Sequence, residues 1–402
     1  VTVKLLPFDN KSELSVTIDL PEGAAVEATD AVAQAVARVA MDLPEVVSVQ
    51  THAAAAAPFN FNGLVRHSFY RTQPQQGEVA VNLAPKHDRD RSSHQIALDL
   101  RARLYEAPFY RLVHAEADGL PGVVIDRFGD AAVIQPNAAW AETHIDTLAA
   151  ALMQVTGVTT IIKNGTGRAR SLEGLADEMV VMHGTCDAPL PVPMNGATYL
   201  ADLTGGQKTG LFYDQRPNHA FAAGLARGAR VLDVFSHVGG FGLAALAGGA
   251  AQALCVDSSA PALALAEGGA KASSFAERFA TRKGEAFATL EALATEGARF
   301  DVVVCDPPAF APNKQALDAG LRAYERVARL AAPLVAPGGF LALCSCSHAA
   351  DLAAFRNACG RGIGRGGRRA QLLHTGFAGP DHPQLPQLAE SGYLKALFFR
   401  LD

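Results

Sequence analysis

Apolar and polar positions follow three rhythms in turn along this 402-residue chain, and each rhythm predicts a different structure. Leu14-Ser-Val-Thr-Ile-Asp-Leu20 alternates like a half-buried strand, Ala28 to Met41 carries helical apolar spacing, and Val46 to Gln50 reads as another strand. After a looser stretch come an expected strand at Glu78–Leu83 and a helix from about Ser93 to Leu104. This β-α-β-β-α order predicts a small split β-α-β sandwich over residues 1–104.

From Phe109-Tyr-Arg-Leu-Val-His114 through Asp118 to Arg127 the pattern becomes hairpin-like, and a strand follows at Ala131–Gln135. A helix at about Ala141–Val155, a strand at Val158–Lys163 and further short strands reach Leu200, which predicts a second small α+β module over 105–200. Beyond Arg227 the rhythm is strand, glycine-rich turn and helix, repeated, with strands expected at Arg230–Phe235, Gln252–Asp257, Phe300–Cys305 and Phe340–Ser345. That alternation predicts an α/β, Rossmann-like, doubly wound and mostly parallel sheet over 201–402. Ligands of such sheets sit at the carboxyl ends of the strands.

Composition narrows the function classes. Nearly half the residues are apolar and 19% are charged, enough for a substantial core, and no apolar run of membrane-spanning length occurs. The chain therefore reads as a folded cytoplasmic protein without a membrane partner. A net charge of −5 argues against nucleic-acid binding through global positive charge and leaves room for a local basic groove. The six cysteines all lie beyond residue 185 without a Cys-x-x-Cys pair, which favours thiol chemistry over staples or a metal. Oligomeric state is not legible.

Three short stretches fall at expected strand ends: Asp233-Val-Phe235-Ser236-His-Val-Gly239-Gly240-Phe241, Asp306-Pro307-Pro308 and Ser345-Cys346-Ser347. Gly239 and Gly240 let the backbone turn tightly beside a nucleotide, and the helix that follows offers unpaired N–H groups. Asp257, at the end of the next strand, is placed to accept both hydroxyls of a ribose. Glu285 follows a short third strand and is a candidate for an adenine amine, with a plain place beside a helix N-cap as its bland alternative. Upstream, Lys208, Thr209, Gln215 and Arg216 are polar residues that could fold over the same ligand. An acidic residue at position 257 suits NAD as well as S-adenosylmethionine; the missing second glycine-rich half and the Asp-Pro-Pro after the fourth strand weaken the NAD reading.

Asp306 ends an apolar strand and precedes two prolines that supply no N–H and stiffen the chain, so its carboxylate is aimed to hold a base edge. Cys346 ends the next strand. A thiolate adding to C6 of cytosine makes C5 reactive toward a methyl group, whereas unaided C5 is a poor nucleophile. Cys344 and Cys305 are rivals, although strand alternation should turn Cys305 away from Asp306.

Together with Asp118-Gly-Leu-Pro-Gly, Lys208-Thr-Gly, Asp214-Gln-Arg216, Asp306-Pro-Pro-Ala-Phe310, Asp381-His-Pro383 and Gly392-Tyr-Leu-Lys395, these motifs resemble class I S-adenosylmethionine-dependent 23S rRNA methyltransferases of the large-subunit methyltransferase I type. The match spans about 105–402. The resemblance implies S-adenosylmethionine as cofactor, 23S rRNA as partner, methylation at cytosine C5, Cys346 as nucleophile, Asp306 as base-holding carboxylate and Asp257 as ribose ligand. Relatives that methylate guanine lack a cysteine at the position of Cys346. Guanine methylation and a non-catalytic RNA-binding protein with a vestigial pocket are the alternatives.

Three departures stand out: Ala309 where the family has lysine, Glu285 where it has aspartate, and no RNA-binding PUA domain at the N-terminus. Instead, Leu6–Glu13, Leu20–Gly23 and Ala57–Arg66 resemble the porter portion of resistance-nodulation-division efflux permeases, which points to a chimeric gene product with a non-catalytic first segment. RNA contact then falls to the 105–200 module and to the basic loops Lys163–Arg170 and Arg361–Arg369.

Overall fold

The computed structural model of the protein describes residues 11–20, 24–58, 71–105, 107–186, 189–205, 210–384 and 388–402. They divide into two compact units, Val1–Pro108 with Asp146–Val158, and Phe109–Ile145 with Thr159–Asp402.

The first unit contains β1 (Glu13–Asp19), α1 (Val26–Met41), β2 (Val46–Ala53), β3 (Gln76–Leu83) and α2 (Ser93–Leu104). β3 lies between β1 and β2 and is antiparallel to both, so β1-α1-β2 is a split β-α-β unit. Ala33, Val36 and Ala40 of α1 and Ile96 and Leu100 of α2 bury against Val79, Val81 and Leu83, the apolar positions that set the sequence rhythm. Residues 6–10, 21–23 and 59–66, which account for most of the efflux-permease resemblance, lie outside the described residues.

The second unit begins with a five-stranded sheet of β4 (Phe109–His114), β5 (Val123–Phe128), β6 (Ala131–Pro136), β7 (Thr160–Gly165) and β8 (Glu178–His183), in that order, with only the β6–β7 pair parallel. The single helix expected at 141–155 is two segments broken at His144: Ala139–Thr143 in this unit, and Ile145–Thr156, which from Asp146 onward belongs to the first unit. A hairpin of β9 (Leu190–Met194) and β10 (Ala197–Ala201) leads into the last sheet.

That sheet contains β11 (Arg230–Val234), β12 (Gln252–Asp257), β13 (Phe279–Lys283), β14 (Phe300–Cys305), β15 (Val335–Ser345), β16 (Ala370–Gly376) and β17 (Lys395–Leu401). Its order is β13-β12-β11-β14-β15-β17-β16, with β17 alone antiparallel to its neighbours. Helices α3 (Arg216–Leu225), α4 (Gly240–Ala247), α5 (Ala260–Ala272), α6 (Ala286–Thr295), α7 (Leu317–Ala331) and α8 (Leu352–Arg365) cover its two faces.

Because both faces are covered, the central strands are apolar throughout rather than alternating. Leu232, Val303, Cys305, Leu341 and Leu343 pack with α6, α7 and α8, while Val231, Val302, Val304, Ala342 and Cys344 pack on the other side with α3 and α4. The strand order reverses between β11 and β14, which opens a crevice at their carboxyl ends.

Two cations of one expected basic loop, Lys163 and Arg170, are internal, against expectation. Lys163 is 6% exposed, pairing with Glu142 and, at 2.6 Å, with Glu178, and Arg170 is 1% exposed, 2.8 Å from Glu142. The sequence shows these cations but not the carboxylates that the sheet brings to them. No helix among the described residues is long and apolar enough to cross a membrane.

Candidate active site

The turn after β11 is wound by backbone conformations that ordinary residues avoid: φ is +63° at Phe235, +49° at His237 and +81° at Gly239. Ser236 N donates to Val256 O at 3.0 Å, and Gly239 N returns to Ser236 O at 2.8 Å, so the turn is tied to β12 and to itself. Gly240 then opens α4. A Cβ there would lie 2.8 Å from His219 Nε2, so the close approach that requires glycine is to the protein's own histidine. That His219 is buried, and burial pushes its pKa down to about 3, which keeps the ring neutral beneath the turn.

Asp233 lies wholly buried under the turn. Its Oδ2 accepts from Gly242 N at 2.9 Å in the first turn of α4, while Oδ1 has no hydrogen-bond partner among the described residues. Burial raises its pKa to about 7, opposed chiefly by the Gly242 N–H. Its place in the site is to hold the turn rather than to face a ligand.

Asp257 ends β12 half-buried at the crevice. Its two oxygens accept from His237 N at 2.9 Å and Ser259 N at 2.8 Å, which fixes the carboxylate and leaves acceptor capacity on each oxygen. Glu285 is the N-cap of α6, accepting from Ala288 N at 3.0 Å, so its bland alternative is realised and any ligand contact is additional.

Of the upstream residues, Lys208 and Thr209 lie outside the described residues. Gln215 is 3% exposed; its Oε1 accepts from Asn218 at 2.7 Å and its Nε2 donates to Asp306 Oδ2 at 2.9 Å. Arg216 turns elsewhere, donating to Phe109 O and lying 5.2 Å from the Tyr213 ring centre.

Asp306 continues the β11–β14 ladder, its N–H donating to Val234 O at 3.2 Å, and the half-buried carboxylate emerges beside the β11 turn. The three cysteines near it separate cleanly. Cys305 and Cys344 are buried in opposite cores, and burial pushes both thiols well above the ordinary range. Cys346, one residue past β15, is half-buried and reaches the surface at the same carboxyl edge.

The backbone around Cys346 is held by residues that sequence reading missed. The buried Tyr324 hydroxyl of α7 accepts from Ser345 Oγ at 2.8 Å and bonds Ser347 Oγ at 2.7 Å, while Ala311 N donates to Ser347 Oγ at 3.0 Å. Lys395, the first residue of β17, donates to the carbonyls of Ser347 and Ala350 at 2.8 and 2.7 Å. Tyr393 donates to Asp214 Oδ2 at 2.6 Å. Lys395 and Tyr393 belong to a motif visible in the sequence; nothing there marks Tyr324 or Asn218.

The carboxyl edge thus gathers Phe235, Ser236, Gly239, Gly240, Asp257, Glu285, Asp306 and Cys346 from the ends of five successive parallel strands. Backbone N–H groups at a glycine turn, a fixed carboxylate on the next strand and a thiol facing the same edge fit a nucleoside-bearing cofactor beside a planar base.

The family model described as S-adenosylmethionine-dependent methyltransferase matches residues 179–400. The chain is 38% identical to the ribosomal RNA large subunit methyltransferase I of Tolumonas auensis, over 72% of this chain and 74% of that one. It is 36% identical to the protein of that name from Aeromonas salmonicida, with the same coverage. The fold is similar to the crystal structure of a methyltransferase complexed with SAH, with a TM-score of 0.66 at 21% identity over 82% of this chain and 86% of that one. A Streptococcus mutans SAM-dependent methyltransferase gives 0.65, also at 21% identity, over the same shares of the two chains.

Proposed function

The chain belongs to the S-adenosylmethionine-dependent methyltransferases, and on that premise we propose that it methylates C5 of a cytosine in structured RNA, with 23S rRNA as the target, through a covalent Cys346 adduct. The observation that carries this reading is the accessibility of Cys346 at the strand edge that also bears Asp306, while Cys305 and Cys344 are sealed in the core. The relatives named for large-subunit ribosomal RNA support the substrate class.

In this reading the turn Phe235–Gly240, Asp257 and Glu285 hold the cofactor, with Lys208 and Thr209 as further contacts. Asp233 acts through the turn and Gln215 through Asp306. Bound S-adenosylmethionine supplies an electrophilic methyl group on a sulfonium. Asp306, fixed by Gln215, holds the base edge so that C6 faces Cys346. The thiolate adds to C6, and the C5–C6 π electrons pass to C5, which becomes nucleophilic. After C5 is methylated, a base takes the C5 proton, the C5–C6 double bond re-forms and the Cys346 sulfur leaves.

RNA phosphates are better met by the exposed Arg326 and Arg365, paired with Glu291 and Glu325, than by the buried Lys163 and Arg170. Mass spectrometry after incubation with 5-fluorocytosine RNA and cofactor should find a covalent complex, because fluorine blocks loss of the C5 proton. The complex should vanish in Cys346→Ala; an adduct that persists would sink the nucleophile assignment.

A further inference from the structure

Lys395 is 4% exposed, yet no carboxylate lies within ion-pair distance of it among the described residues. A buried ammonium without an anionic partner is costly, and such groups normally shed the proton or find a counter-charge. Its position is fixed by the sheet: Lys395 is paired in register with Ser345, the residue before Cys346. Two of its three donors reach the carbonyls of Ser347 and Ala350, just after Cys346. These acceptors favour the charged form and draw the loop around the ammonium.

Among the described residues, groups from three directions bear electrostatically on Cys346. Lys395 faces it from the start of β17, Tyr393 from the connection before β17, and Tyr324 from α7. Burial raises both phenols above the ordinary tyrosine range, so they stay neutral. His348 is exposed two residues on. Asp351, the carboxylate that also acts on Lys395, has one oxygen committed to capping α8 through Ala354 N at 2.7 Å. Lys395 is thus a cation whose two hydrogen bonds place it at the loop that carries the thiol. Burial lowers its pKa, and a negative Cys346 sulfur pulls the other way, so the two charges support each other.

We infer that Lys395 is a positioning residue whose ammonium holds the Cys346 sulfur in its thiolate form, while its two hydrogen bonds fix the loop that carries the nucleophile. The inference rests on the reading of Cys346 as nucleophile, but it concerns the thiol of the free protein and can be tested without RNA.

The measurement is the pH dependence of iodoacetamide alkylation at Cys346 in the full chain, read by peptide mass spectrometry. Wild type should titrate below the ordinary cysteine value of about 8.5. Lys395→Gln keeps amide donors for the carbonyls but removes the charge, and its titration should move up by about one unit, a tenfold loss of thiolate at neutral pH. Lys395→Arg should restore most of the shift.

A Lys395→Gln protein that titrates like wild type would reduce Lys395 to a loop-shaping role and overturn the inference. If that variant does not fold, the wild-type titration decides alone: a Cys346 value at or above about 8.5 overturns it. Loss of the fluorocytosine adduct with a low thiol titration intact would instead refute the nucleophile reading and leave this one standing.

Discussion

Tyr324→Phe removes one oxygen and leaves the ring in place, so it isolates the hydroxyl triangle that seats Cys346. The ring keeps its contacts with Phe310 and Phe355, both 5.0 Å away between centres. Ser345 Oγ loses its acceptor, Ser347 Oγ one of its partners, and Phe310 N a long donation at 3.4 Å. Each serine hydroxyl retains a backbone donor, Ser347 N at 3.2 Å and Ala311 N at 3.0 Å, so neither is fully orphaned. A buried hydroxyl that loses a partner costs about 1–3 kcal/mol, and relief of the phenol's own desolvation offsets part of two such losses, which leaves about 1–3 kcal/mol in all. Urea unfolding should show that loss as a lower midpoint with unchanged slope. Single-turnover methylation should fall further, by ~10- to 100-fold, since sub-ångström displacement of a reacting group suffices for that. A variant with wild-type midpoint and rate would refute the role given to the triangle.

Three more outcomes follow from the same geometry. Gly242→Ala places a Cβ 2.5 Å from Cys255 Sγ and should cost about 1–3 kcal/mol; adding Cys255→Ala should recover at least ~1 kcal/mol of that, and strictly additive losses would exclude the clash. Asp233, with a folded pKa raised to about 7, takes up a proton on folding, so the stability it confers is present below about pH 4 and is lost as pH rises through 7. Asp233→Asn should therefore gain on wild type by ~3 kcal/mol between pH 5 and 8, and parallel pH profiles would contradict this. Glu285→Ala should cost about 0.5–2 kcal/mol through the lost α6 cap and weaken S-adenosylmethionine binding in calorimetry; a stability loss with unchanged affinity would leave Glu285 as a cap alone.

Much of the fold was legible because each covered strand is an apolar run closed by a turn. The strand expected at Gln252–Asp257 and that at Phe300–Cys305 coincide with β12 and β14. β15 starts at Val335, five residues before the expected Phe340, because the strand passes through Gly338 at φ +77° and a bulge against Phe300/Val302, where the apolar pattern is interrupted. The helix expected at 141–155 breaks at His144, which no glycine or proline announces.

The sequence by itself determined the kind of site: a glycine turn, Asp257, Asp306 and Cys346 each stand at a strand end, and in a doubly wound sheet all carboxyl ends share one edge. Only the tertiary structure decided which groups face that edge. Asp233 and Gly242 turn inward to each other, the buried Lys163 and Arg170 meet carboxylates from other segments, and Arg216 reaches a distant carbonyl. It also brought Tyr324 and Lys395, 22 residues before and 49 after Cys346 in the numbering, to the nucleophile's loop. The reason is physical: strand ends are set by local periodicity, whereas the partner of a buried charge or hydroxyl is set by register and helix packing between distant segments.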